Sequence, residues 1–458
     1  MGRTIAMGNL LPQEFKDYKT ILSAYHISFI EDDYWLLVNK TEEKKNLFVF
    51  LSFKCIYVLS ILRQVLPILK RHNLTFKFIK NEQILLKLNN GGFGNDVIGK
   101  NMVIYFDSTA DAKIIAKEIS SVTNIFRGPV ISECIQTGEI IYIPADFKGV
   151  FDIPKSYARK TKKIIGKYYL PYQLIHRSHK TEIWKAVNLK GFGFSPCIIK
   201  KAIAFRSEDK YGRDMYDRIL WEKKLLSDLI DIIPVPGFVD FFEMKQDHYL
   251  VTEYIQGVSL EAKIKSLLSR CSWQELSSGS KSEILNYYLY VIGIIQRMHD
   301  AGYIHRDITA GNLLIKNRDA LYILDLELAY SIKGKKPNPS YILGSHGYMS
   351  PEQLVNEVPT EKEDIFSLGA LFLFTVTGTH PKNFIGENAE ADFQKIEDVI
   401  SDQCFRKILA GCLNPNACER PALSDIRNEI IEWLKGMDNV QRKIGKIKLF
   451  MHEKEYFA

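Results

Sequence analysis

The sequence predicts an α+β protein of two domains: a mixed α/β domain, then a bilobal one with a small strand-rich lobe and a larger helical lobe. Three observations predict it. At 458 residues the chain is long enough for two or three separate cores. A lysine-rich stretch at 146–167, "DFKGVFDIPKSYARKTKKIIGK", lacks a sustained apolar period and suits a connection between domains. The strand and helix periods also follow a different order on the two sides of that seam.

Before the seam, "NLFVFLS" and "LTFKFIK" read as strands, while 61–70 and 111–122 carry helical apolar spacing. The run 47–69 is apolar enough to resemble a membrane span, but Lys54 and Arg63 interrupt it and Pro67 sits near its end. Each charge at mid-membrane costs roughly 2.5 to 3.5 kcal/mol, so a buried strand leading into a core helix is the better reading. The apolar run 365–376 is too short to span. After the seam, strand-like runs at 169–174, 183–187, 197–202 and 248–252 surround one helical stretch at 215–230. Mostly helical text follows from Glu261. The expected division is a first domain at 1–150, a linker at 151–167, a second domain at 168–436 and a short tail at 437–458.

With 46% hydrophobic and 25% charged residues the chain is globular in composition, which excludes disordered and fibrous classes. No internal repeat is visible, so solenoids drop out. A net charge of +7 is mild at this length and falls short of a nucleic-acid signature. The seven cysteines form no C-x-x-C pair and no regular spacing that suggests a zinc site or disulfide framework, which makes a reducing cytoplasm the expected home. No secretory signal pattern opens the chain, and Met1-Gly2 lacks the Ser or Thr that myristoylation expects at Ala6.

The chemistry is carried by "YIHRDITAGNLLI", with His305-Arg306-Asp307 followed by Asn312. Phosphoryl transfer needs a carboxylate to orient and accept the proton of the attacking hydroxyl, and an amide oxygen one short loop away to hold a metal. Asp307 fits the base and Asn312 the metal ligand. Downstream, "YILDLELAY" places Asp325 at the end of an apolar strand, where a carboxylate can bridge the metal that neutralises phosphates. "GSHGYMSPEQL", "EDIFSLGALFLF" and "ACERPALSDI" then follow in order.

This ordered set resembles the protein kinases. The resemblance implies ATP and Mg2+ as cofactors, a Ser- or Thr-bearing peptide or protein as substrate, a Glu352–Arg420 ion pair, and Asp364 bracing the catalytic loop. It assigns Lys200 in "CIIKKA" to the α and β phosphates and Glu222 in "ILWEKKLL" as its helical partner, with Lys201 as the rival of Lys200 on the opposite strand face. Glu253, after the run 248–252, joins Lys200, Glu222, Asn312 and Asp325 in the cofactor-binding set. The chain departs from the pattern in three places. Glu327 replaces the glycine of the D-F-G triplet, Thr309 replaces the usual lysine, and "LIHRSHKTEIWKAV" has no glycine to approach the phosphates. Arg177, Ser178 and Lys180 are either side-chain phosphate contacts or solvated turn residues. Arg306 offers a cation that could dock a phosphate carried by Ser340, Tyr341 or Ser345; a loop already ordered without phosphate is the other reading.

The first domain narrows the family. "VLPILKRHNLTFKFIKN", "GGFGNDVIGKNMVIYF" and "IFRGPV" resemble the lyase domain that precedes the kinase in class III lanthipeptide synthetases. Those enzymes phosphorylate Ser and Thr of a precursor peptide, eliminate the phosphate and cyclise the product onto cysteine. The resemblance puts Lys77 in the place of the general base and leaves Lys100 and Arg127 as phosphate contacts. Its K-x-H motif falls on Phe48-Val49-Phe50, however, and Phe93 stands where a tyrosine is expected. Neither Phe48 nor Phe50 can transfer a proton, so elimination is expected to be lost. A shifted register would put Lys54 at the lysine position and still supply no histidine. After Trp433 a short lysine-rich tail is read in place of the cyclase module, so a separate lyase and cyclase are expected as candidate partners. The rival readings are a regulatory Ser/Thr kinase with an N-terminal binding domain and a catalytically silent kinase-like scaffold.

Overall fold

The computed structural model describes residues 18–39, 47–148, 150–151, 164–191, 194–269, 271–317 and 320–437. The expected linker and C-terminal tail lie almost wholly outside the described residues. The chain divides into two compact units, residues 1–219 with 240–251 and residues 220–239 with 252–458.

The first unit opens with α1 (Tyr18–Ala24), β1 (Ile30–Glu31), β2 (Trp35–Val38), β3 (Leu47–Leu51), α2 (Val58–Arg71), β4 (Thr75–Ile79), α3 (Glu82–Asn89), β5 (Met102–Phe106), α4 (Thr109–Thr123), β6 (Cys134–Gln136) and β7 (Ile141–Pro144). The strands form one seven-stranded sheet in the order β1-β2-β4-β5-β3-β7-β6, antiparallel throughout. The run that resembles a membrane span is β3 followed by α2. Pro67 is tolerated inside α2 because the carbonyl of Arg63, which would lose its helical donor there, accepts from the Tyr25 hydroxyl at 3.4 Å.

Period-two alternation decides which face of the sheet does what. Val49, Leu51, Phe76, Phe78, Met102, Ile104 and Phe106 are buried in one core with the apolar stripes of α2 and α4. Their neighbours Phe48, Phe50, Val103, Tyr105 and Tyr142 pack on the opposite face. Lys77 belongs to that second face, since Lys77 and Phe50 both pair with Val103 from flanking strands.

The same unit continues with β8 (Tyr169–Arg177), β9 (Thr181–Asn188), β10 (Ser195–Ala202), the start of α5 (Met215–Leu229), β11 (Phe238–Met244) and β12 (Asp247–Glu253). These strands make a five-stranded sheet in the order β11-β12-β10-β9-β8. Its core joins Tyr169, Cys197, Ile199, Tyr249 and Val251, with Phe242 stacked between Tyr169 and Tyr249 at 5.7 and 5.1 Å. Strand β11 is the one element here that the sequence reading omits.

The second unit is mainly helical: β13 (Val258–Ser259), α6 (Leu260–Leu268), α7 (Ser278–Asp300), β14 (Tyr303–Ile304), β15 (Leu313–Asn317), β16 (Ala320–Ile323), β17 (Tyr330–Ser331), α8 (Pro351–Leu354), α9 (Glu361–Thr377), α10 (Phe393–Val399), α11 (Gln403–Cys412) and α12 (423–437). Helix α9 contains the apolar run 365–376 and is buried on every side, as a helix without a polar face must be. Among the described residues no helix is long and apolar enough to cross a membrane, and all seven cysteines are free.

Candidate active site

The loop between β14 and β15 is fixed from below by α9. Asp364, fully buried in the first turn of α9, accepts from the backbone N–H groups of His305 and Arg306, each at 2.8 Å. His299 of α7 donates to it at 2.8 Å as well. Burial pulls the His299 imidazole down, but the Asp364 contact outweighs it and leaves the imidazole raised. These bonds hold Arg306 at φ 69°, a left-handed conformation that costs a non-glycine residue on the order of 1–3 kcal/mol. Glu352 and Arg420 form the expected pair, bidentate at 2.6 and 2.9 Å.

Asp307 stands on this platform. Its Oδ1 accepts from the N–H and hydroxyl of Ser345, at 3.1 and 2.9 Å, and its Oδ2 accepts from the Asn312 amide at 3.0 Å. Burial, then the charge of Asp325, pushes the Asp307 carboxyl up from its ordinary range, and these donors work against that rise. Asn312 gives its other amide hydrogen to the Asp307 carbonyl at 3.0 Å, which leaves its Oδ1 as the atom able to meet a cation. Thr309, the substitute for lysine, caps the short turn Ala310–Asn312 by accepting from the Asn312 N–H at 3.3 Å.

Asp325 lies two residues beyond β16. The carboxylates of Glu222, Asp325 and Glu327 each offer an oxygen within 4.8 Å of the others. Oxygen-only donors at this spacing suit a hard divalent cation, so the residues present fit the metal that phosphoryl transfer uses. Glu222 is only 3% exposed, which rules out a solvated helical glutamate. The residue before it on the same helix ties α5 to the segment after Asp325: the Trp221 indole donates to the Ala329 carbonyl at 2.7 Å.

Lys200 and Lys201 alternate on β10, and Lys201 is engaged by Asp247 at 3.0 Å and Glu182 at 3.7 Å. Glu253 ends β12, where its backbone N–H donates to the Gly237 carbonyl at 2.8 Å. At the glycine-free turn between β8 and β9, Ser178 accepts from the N–H groups of Lys180 and Thr181 at 3.3 and 3.1 Å, and Arg177 pairs with Glu182 at 3.0 Å. Ser178 and Arg177 are thus turn-closing residues, held by the hairpin itself.

Two alternative readings of the sequence do not fit the structure. Arg306 is no phosphate dock: it is 1% exposed and its Nε pairs with Glu363 at 2.7 Å, both side chains fully buried. Ser340 and Tyr341 are buried too, and the Ser345 hydroxyl is spent on Asp307. The sequence reading missed Ser345 as a partner of Asp307 and missed Glu363, although Glu363 directly precedes Asp364 in "EDIF". The shifted register for Lys54 also fails, because Lys54 leaves the sheet and pairs with Asp214 at 3.1 Å.

In the first unit, the sheet face opposite the helices borders a cavity of about 700 Å³ lined by Phe48, Phe50, Lys100 and Cys134, with Asp96, Glu133 and Asp146 among its walls. Lys100 lies 5.1 Å from the Phe50 ring and Lys77 lies 4.6 Å from the Trp35 ring. Burial first, and Lys100 after it, depress the Lys77 amine. Arg127 does not line this cavity and pairs with Glu139 at 3.2 Å. Phe93 packs edge-on against Tyr34 at 5.0 Å.

Comparison with known proteins bears on both units. Residues 49–143 match the family described as RamC, N-terminal domain. Residues 197–443, more than half of the chain, match the protein kinase domain. Among similar proteins, serine/threonine-protein kinase PknA of Nostoc is 24% identical over 41% of this chain and 33% of its own length. Serine/threonine-protein kinase B of Synechocystis is 23% identical over 47% of this chain and 38% of its own. Serine/threonine-protein kinase PrkC of Bacillus subtilis is 28% identical over 34% of this chain and 23% of its own. The chain therefore spans about a quarter to two fifths of the length of these relatives. Protein kinases use ATP and a divalent metal, which matches the donor set around Asp325. With the catalytic loop braced by Asp364 and a protein kinase match over more than half its length, the chain belongs to the protein kinase family, and its residues 49–143 match the RamC N-terminal domain.

Proposed function

We propose that this chain is an ATP- and Mg2+-dependent peptide kinase of the class III lanthipeptide type, which phosphorylates Ser or Thr of a ribosomally made precursor and does not itself eliminate the phosphate. The observation that carries this reading is the Asp307 carboxylate, oriented by Ser345 and Asn312, standing in one chain with a RamC-type sheet in which Phe48 and Phe50 occupy the places that the resemblance gives to the proton-transfer residues. In this reading, Asp307 orients the acceptor hydroxyl and takes its proton as the oxygen attacks the γ-phosphorus, while the bond from that phosphorus to the β–γ bridging oxygen breaks and ADP leaves. The fixed donors spare the Asp307 carboxylate reorientation as it accepts the proton. Asn312 and Asp325 would hold the metal, which supplies charge neutralisation on the phosphates. Lys200, Glu222 and Glu253 belong to the nucleotide-binding set.

The domains are then 1–150 for the lyase-like part and 168–436 for the kinase, joined by 151–167 and followed by a tail, in a cytoplasmic protein served by a separate lyase and cyclase. Incubation with a candidate precursor, ATP and Mg2+, read by intact mass, tests it. The expected product carries one added phosphate per modified residue; loss of water from the peptide, or no change with any hydroxyl-bearing peptide, would count against it.

A further inference from the structure

The segment that leaves β3 makes a set of buried contacts that neither phosphoryl transfer nor elimination uses. Lys54 is 8% exposed, and its ammonium donates to the Gly212 carbonyl at 2.5 Å and to the Asp214 carboxylate at 3.1 Å. The next backbone N–H, of Cys55, donates to Glu208 at 2.8 Å, and the Asn90 side chain donates to the Glu208 carbonyl at 2.9 Å. Gly212 has φ 78°, and a Cβ added there would come within 2.5 Å of Ile56, so the backbone approaches as closely as glycine permits.

What these contacts hold is the start of α5. Asp214 is its cap: one carboxylate oxygen accepts from the Tyr216 N–H at 2.8 Å, and its own N–H donates to Asp217 at 2.9 Å, a reciprocal arrangement that satisfies two otherwise orphaned donors. The other oxygen takes Lys54. The same helix carries Glu222 two turns further on. An α-helix transmits a displacement of its first turn along its axis, because each turn is bonded to the next.

We propose that the N-terminal domain is a built-in positioning element of the kinase: Lys54, through the cap residue Asp214, sets the helix that carries Glu222, so phosphoryl transfer depends on a domain whose own proton-transfer positions are phenylalanines. This explains why a lysine is buried beside β3 although no elimination step needs it there. It rests on the kinase activity proposed above and on neither the peptide's identity nor the fate of its phosphate.

The test uses the full chain with Lys54→Met, Asp214→Asn and the double variant. Asparagine caps a helix as well as aspartate, so Asp214→Asn removes the ion pair and keeps the cap. Phosphate transfer from ATP to a library of synthetic Ser- and Thr-bearing peptides is measured beside hydrogen exchange of the amides at 215–222. The expected result is faster exchange there and a fall in kcat on the order of tenfold in each single variant, with peptide KM little changed and the double variant no worse than either single, as members of one interacting pair behave. Unchanged exchange at 215–222 in both single variants, or effects that add in the double, would overturn the proposal. Exchange is read without turnover, so an inactive wild-type chain would count against the kinase reading alone. Should Lys54→Met fail to fold, Asp214→Asn still decides.

Discussion

Asp307 already has three donors on its two oxygens, and Asn312 spends both amide hydrogens on the same residue. Two substitutions separate orienting the hydroxyl from holding the metal. Asp307→Asn removes the proton acceptor and should lower kcat by about 10²- to 10⁴-fold with ATP binding retained. Asp325→Asn should instead weaken ATP–Mg2+ binding, measured by titration calorimetry. Near-normal turnover in both would sink the site assignment. Arg306 poses a different question, since its buried guanidinium already has a carboxylate in Glu363. Breaking a buried pair leaves a charge uncompensated at a cost of about 3–5 kcal/mol, so Glu363→Ala should lower the thermal midpoint of this unit markedly. With Arg306 so engaged, phosphatase-treated protein should keep its full rate; loss of activity that returns with a phosphate between Asp325 and Glu352 would contradict this.

Turns and connecting loops are where local chemistry replaces the expected motif. Ser178 closes the β8–β9 hairpin with its hydroxyl, so Ser178→Ala should cost about 1 kcal/mol and leave ATP affinity within about twofold, checked by thermal shift and nucleotide titration. A large loss of ATP affinity would mean that the hydroxyl meets phosphate. The loop before α5 carries Glu208, 2% exposed, whose carboxyl is pushed up to about 7 by burial and by Asp214 against the pull of Lys54 and the Cys55 and Ile56 N–H groups. A carboxyl raised in the folded state is protonated there while still ionised in the unfolded chain. Its contribution is therefore complete below the ordinary value of 4.5 and is lost as pH rises through about 7. Glu208→Gln should flatten the fall in thermal stability over that window; an unchanged pH profile would exclude Glu208 as its source. Strands and helices such as β3, α2 and α9 were legible because burial imposes a period on the sequence. The triad Asp307, Asn312 and Asp325 was legible because phosphoryl transfer fixes residue types at short spacing. Ser345, Glu363 and the Lys54–Asp214 pair were not, since each joins residues distant in sequence through contacts that no local period encodes. Strand β11 was missed because "FVDFFEM" interrupts its apolar run with two acids.

At the scale of the whole molecule, one chain joins a kinase domain to a RamC-type domain, and the open question is whether phosphate put on is also taken off. Elimination from phosphoserine needs a base for the α-proton and an acid for the departing phosphate. Lys77, lowered by burial and by Lys100, is suited to the first task. For the second, the face offers Phe48 and Phe50, packed against each other at 5.3 Å and, through Phe48, against Tyr105 and Phe147. Asp96, Glu133 and Asp146 among the cavity walls set three acids against the one lysine, Lys100, that lines it, a poor field for a phosphate dianion. Because a general acid contributes about 10²- to 10⁴-fold, the purified chain should accumulate phosphopeptide without dehydration. Phe48→Lys combined with Phe50→His should raise elimination to a detectable level, read as loss of the phosphate together with one water from the parent peptide. Lys77→Met in that background should abolish the gain. If the unaltered protein converts phosphoserine to dehydroalanine as fast as it phosphorylates, the acid lies elsewhere and the phenylalanine face is not the elimination site.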